Sequence, residues 1–179
     1  MARIMKRAAA DSFLLCALFA GLSFFRVSWA VPLAITFGTV FYHFAMRLLV
    51  GHIVNRIMRN KADCSKAWYQ PRSFEDRLYK LLKVKKWKGN LPTYDPSTFD
   101  PKLHSWDEIA QAMCQAEIVH EVIVVLSFLP LLGVIPFGSI GVFLITSVLA
   151  AMYDLCFVIL QRYNRPRILK MIHKKRAAN

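Results

Sequence analysis

Residues 137–160 read FGSIGVFLITSVLAAMYDLCFVIL, and Gln161-Arg162-Tyr163-Asn164-Arg165-Pro166-Arg167 follows directly. The apolar run holds one acid, Asp154, and exceeds the ~20 residues that span a hydrocarbon core as a helix. Three arginines then crowd together where such a segment would meet water. A guanidinium group is planar and permanently charged, and it matches phosphate or carboxylate oxygens as a fork.

Three more blocks have the same character. Residues 8–25 carry only Asp11, residues 27–50 only His43 and Arg47, and residues 118–135 only His120 and Glu121. A chain of 179 residues that is 56% hydrophobic, with mean hydropathy +0.36, does not have the composition of a water-soluble domain. The pattern predicts an all-α integral membrane protein of about four transmembrane helices, paired as two hairpins around a cytosolic, interfacial segment. The expected parts are residues 1–60, a hairpin with a basic extension; 61–108, the interfacial segment; and 109–179, a hairpin with a basic tail. The first block follows Lys6 and Arg7 as a signal peptide would, but its small residues are scattered and a second span follows at once. A retained helix is expected.

Net charge is +13, and all of the 24 basic residues but Arg26 fall on one side if the four helices pair as two hairpins. The positive-inside rule then puts both termini and the central segment in the cytosol. The same charge attracts anionic membrane lipids. Nucleic-acid binding is excluded, because the aromatics sit mainly within the apolar blocks and offer no stacking platform. Cys16, Cys64, Cys114 and Cys156 form no CxxC pair, so neither a disulfide nor zinc is expected. Cys114 has the spacing of a nucleophile one turn before Glu117, but the reading favoured for it is an ordinary small interfacial residue.

Within the central segment, Ser73 with Glu75 and Asp76 signals a helix start, with Phe74, Leu78, Leu81 and Leu82 on one apolar face. Lys83-Val84-Lys85-Lys86-Trp87-Lys88 follows, then turns around Pro92, Pro96 and Pro101. Ser105 starts another helix, with Asp107 and Glu108 in its first turn, where the helix dipole favours acids. That helix should run through Glu117 and His120 into the third block.

Glu117, His120 and Glu121 share one helical face at the depth where the third span enters the bilayer. Asp154 near the end of the fourth span, and His43 and Arg47 near the end of the second, are expected to support them at a similar depth. Ionisable residues in a span cost at least ~2.5 kcal/mol near its centre, which makes function the default reading. Each also has a plainer reading. Glu117 or Glu121 would pair with Arg47 or Arg162, His43 would bond between helices, and Asp154 would buffer an arginine. His120 beside two carboxylates is the strongest candidate base. One Glu-x-x-His does not make a di-iron site, and the zinc-protease helix needs a second histidine, so no metal is expected. Neither a Gly-x-Ser-x-Gly turn nor a glycine-rich phosphate loop is present.

Val84-x-Lys86-Trp87-Lys88, then Ala116-Glu117-x-x-His120, then Gln161-Arg162-Tyr163-Asn164-Arg165-Pro166-Arg167 resembles the glycosyl-4,4'-diaponeurosporenoate acyltransferase family in order and spacing across residues 83–167. The closing heptapeptide is its specific part. The resemblance implies a small enzyme of the bacterial inner membrane that esterifies a sugar hydroxyl of a glycolipid, such as a glycosylated carotenoid, with a fatty acyl group. It implies acyl-CoA or acyl carrier protein as donor substrate and no bound cofactor. His120 would be the base, oriented by Glu117. Arg162, Tyr163, Asn164, Arg165 and Arg167, with Lys86, Trp87 and Lys88, would bind the donor's phosphates or the developing oxyanion. His43 and Arg47 borrow nothing from it. Against this stand a non-enzymatic scaffold that binds anionic lipid, and a proton-relaying transporter, which a chain without internal repeats would need to build as a homo-oligomer.

Overall fold

The computed structural model describes residues 1–177; among them there is no strand. The helices are α1 (Ala2–Phe24), α2 (Ala30–Met58), α3 (Glu75–Leu81), α4 (Val84–Trp87), α5 (Trp106–Leu126), α6 (Val134–Phe137) and α7 (Ile140–Ala177). Four helical stretches are long and apolar enough to cross a membrane: Ala2–Phe24, Ala30–Met58, Trp106–Phe137 and Ile140–Ala177. The chain packs as two units, Met1–His52 with Val122–Tyr153, and Ile53–Glu121 with the chain from Asp154 onward.

In the first unit, α1 ends where Arg26 turns left-handed at φ 62°, its N–H bonded to the Ser23 carbonyl at 3.0 Å. Rings join α1 to α2: Phe13 meets Phe41 at 5.2 Å, and Phe19 stacks on Phe37 at 5.6 Å. Tyr42 donates to the Leu126 carbonyl at 2.9 Å, and Arg47 to the carbonyls of His43 and Ala150. Gly133 lies against the buried Phe143 ring, where a Cβ would come within 2.8 Å of Cζ. Phe24, Val125, Ile135, Ile145 and Leu149 are all turned outward, Ile135 with 85% of its surface exposed. An outer face this apolar is compatible with a membrane protein.

In the second unit, Ser105 and Glu108 close a capping box: Glu108 accepts from the Ser105 N–H at 2.8 Å, and Ser105 Oγ accepts from the Glu108 N–H at 3.3 Å. α5 then buries Ile109, Ala110, Met113, Cys114 and Glu117 along one helical stripe, and Ala112 and Gln115 outside it. α7 does not stop at Gln161 but runs on through Pro166 to Ala177. Proline there removes one helical donor, which this helix tolerates at its polar end. The apolar face expected for α3 is instead turned outward, with Phe74, Leu81 and Leu82 exposed. Its buried residue is Glu75, because two turns of helix offer one inward face and an arginine claims it.

Gly133→Val should lower the thermal midpoint in detergent, through an overpacking cost of about 1–3 kcal/mol against Phe143. Gly141→Ala, where the added methyl meets open space, should leave the midpoint unchanged or raise it.

Candidate functional site

The second unit gathers charge along the seam where α5 faces α7. On α7, residues 154, 158, 161, 162 and 165 recur at helical spacing; on α5, residues 113, 117 and 120 do the same. Glu117 has no exposed surface. One of its oxygens accepts from Arg162 Nη1 at 2.5 Å, and the other from Arg165 Nη1. Arg162 also holds Glu75 with Nε at 2.9 Å and Nη2 at 2.6 Å, and donates to the carbonyls of Trp68 and Gln70. Arg165, 1% exposed, donates to the Tyr69 carbonyl and lies over the Tyr69 ring. Two carboxylates and two guanidinium groups thus neutralise one another in a buried cluster. Tyr79 donates to the second oxygen of Glu75 at 2.7 Å. Burial first, and that carboxylate second, push its phenol well above the ordinary tyrosine range, so it stays a donor.

This arrangement alters three expectations. Arg162 offers five N–H donors, and all five are engaged within the protein. Arg165 is closed off from any ligand by its burial. Neither can open toward a donor's phosphates without breaking the cluster. Glu117, placed between them, does not orient His120.

His120 finds a different carboxylate. Its Nδ1 lies 2.9 Å from Asp154 Oδ1, and its ring stacks on Phe157 with centroids 4.6 Å apart and planes at 10°. The Asp154 side chain is 2% exposed and that of His120 22%. A carboxylate accepting from Nδ1–H leaves Nε2 as the basic nitrogen, the arrangement a general base requires. Sequence spacing could not single out Asp154 for this role, since it lies 34 positions from His120.

Glu121 accepts from Trp68 Nε1 at 2.9 Å. These two residues, with Arg72, Phe74, Glu75 and Arg162, line a recess of about 220 Å³. Trp68, Tyr69 and Glu75 belong to the site's framework, although nothing in their spacing marked them. A second group lies on α4 and the end of α7. Lys88 Nζ donates to Asn164 Oδ1 at 3.1 Å and sits 5.0 Å from the Tyr163 ring centroid, while the Arg167 guanidinium stacks on that ring at 3.6 Å. Lys88, Tyr163, Asn164 and Arg167 therefore come together, with Arg167 exposed. Trp87 turns its Nε1 to the Leu82 carbonyl, and Lys86 points to solvent. His43 and Arg47 belong to the first unit.

Cys114 donates its thiol hydrogen to Cys64 Sγ at 3.1 Å. That bond holds the Cys64 thiol below the usual cysteine range. Among the described residues, no three His, Cys, Asp or Glu side chains are grouped so that they could hold a metal ion.

No curated protein and no solved structure matches the chain. The profile of one family does match, over residues 65–174, more than half the chain. The matched region encloses the Glu117 cluster, the His120–Asp154 pair and the Lys88–Tyr163–Arg167 group, and it excludes His43 and Arg47. The chain belongs to the glycosyl-4,4'-diaponeurosporenoate acyltransferase family.

Proposed function

We propose that the protein is a membrane-embedded O-acyltransferase in which His120, held by Asp154, deprotonates a sugar hydroxyl of a glycolipid acceptor. The reading is carried by one observation, a partly exposed imidazole hydrogen-bonded through Nδ1 to a buried carboxylate, in a chain of an acyltransferase family. Nε2 takes the hydroxyl proton as the oxygen attacks the carbonyl carbon of an acyl thioester. The C–O bond forms, a tetrahedral oxyanion collapses, and the C–S bond breaks. The imidazolium then returns its proton to the departing thiolate. Acyl-CoA or acyl carrier protein would supply the thioester, and a glycosylated carotenoid is one acceptor of the right chemistry. Lys88 and Arg167 retain the freedom to meet the donor's phosphates that Arg162 and Arg165 lack. Those two arginines and Glu117 act as positioning residues that hold α5 against α7.

The four apolar stretches would cross the bacterial inner membrane as two hairpins, with both termini and the site at the cytosolic face, where acyl thioesters are found. The one-sided distribution of basic residues and the apolar outer face of the first unit support that placement.

His120→Ala should lower acyl transfer by about 10²–10⁴-fold in purified enzyme. Asp154→Asn should lower turnover more than it raises KM. Near wild-type transfer by His120→Ala would remove the assigned base, and would favour instead a non-enzymatic protein that binds anionic lipid.

Glu117→Gln leaves two buried guanidinium groups short of countercharge, and should cost about 3–5 kcal/mol in stability. It should appear as a sharp fall in detergent thermal midpoint, whereas Glu108→Gln, on an exposed carboxylate, should shift the midpoint far less.

A further inference from the structure

Where α2 ends, the chain makes two successive left-handed residues, Arg59 at φ 50° and Asn60 at φ 55°. Non-glycine residues pay for this conformation, so the surroundings must enforce it. Gln115 does so: its Oε1 accepts from the Asn60 N–H at 2.7 Å, while its Nε2 donates to Asn55 Oδ1 at 3.1 Å. The enforced turn shapes a recess of about 560 Å³, within the ~300–1,000 Å³ typical of small-ligand sites. Arg56, Arg59, Lys61 and Lys66 line it, with Asp63 as its one acid.

None of the four cations makes an ion pair with another described residue. Asp63 is already engaged, accepting from Ser65 N–H at 2.9 Å and Ser65 Oγ–H at 2.5 Å. The C-terminal dipole of α2 supplies only about half a negative charge. Four positive charges gathered on a preformed concave surface are therefore undercompensated from within. The floor of the recess is Tyr69, whose carbonyl accepts from Arg165, so the recess is anchored to the buried cluster.

We infer that this recess is a binding site for a phosphate-bearing anion, distinct from the Lys88–Tyr163–Arg167 group. Phosphates of that kind are carried by a soluble nucleotide-type ligand or by an anionic lipid headgroup, and both present the same oxygens to these side chains. The inference does not depend on the acyl-transfer reading, because binding is measured whether or not His120 acts as a base.

The full chain in neutral detergent would be titrated separately with coenzyme A and with dihexanoyl-phosphatidylglycerol. Arg59→Gln/Lys61→Gln should weaken binding by about tenfold or more, whereas Lys174→Gln/Lys175→Gln, an equal charge loss on exposed α7 residues, should change it little. Asp63→Asn should tighten binding severalfold. Selective loss for coenzyme A supports a nucleotide-type ligand, selective loss for the lipid supports a headgroup, and loss for both supports the shared phosphate. Equal effects of the two double variants, or no effect of either, would overturn the site. All variants should keep the wild-type thermal midpoint, since no ion pair is removed.

Discussion

Glu117 binds two guanidinium groups at once, and the second unit is organised around that fact. A carboxylate with no exposed surface is tolerable only where positive charge and hydrogen bonds replace the water it has lost. Arg162 and Arg165 provide both, and Glu75 balances the second positive charge. The cluster fixes how α7 turns relative to α5, because residues 162 and 165 must both face position 117. It also draws in the segment between α2 and α3, whose carbonyls at Trp68, Tyr69 and Gln70 accept from the same two guanidinium groups. A polar loop is thereby pinned without a hydrophobic core of its own.

Once that rotation is set, His120 and Asp154 follow. His120 lies one turn beyond Glu117 on α5, and Asp154 lies two turns before Arg162 on α7, so the same seam carries both pairs. The division of labour is physical. Every Arg162 donor is committed within the four-charge cluster, whereas the imidazole is bonded to Asp154 through Nδ1 and remains partly exposed. The charge cluster holds shape; in the proposed reaction it is the imidazole that exchanges a proton.

Much of this was legible in the linear sequence. Block lengths gave the four long helices, and Ser105 with Glu108 gave the start of α5. Pairing of Glu117 with Arg162 was one of two readings its position allowed. The partner of His120 was not legible, because Glu117 and Glu121 stand beside it in sequence while Asp154 reaches it only through the packing of two helices. Glu75 read as an ordinary helix-start acid, and its real task is set by an arginine 87 positions away. Spacing within one helix reveals which residues share a face. It does not reveal which face of another helix they will meet.

Pinned by a carboxylate at one nitrogen and by the Phe157 ring along its plane, the imidazole has little freedom to swivel. A base that cannot turn reaches only one line of approach. In the proposed reaction, regioselectivity among the several hydroxyls of a sugar would therefore be decided by how the acceptor is seated. Enlarging or shrinking the side chain at position 157 would be expected to change which ester forms before it changes how fast.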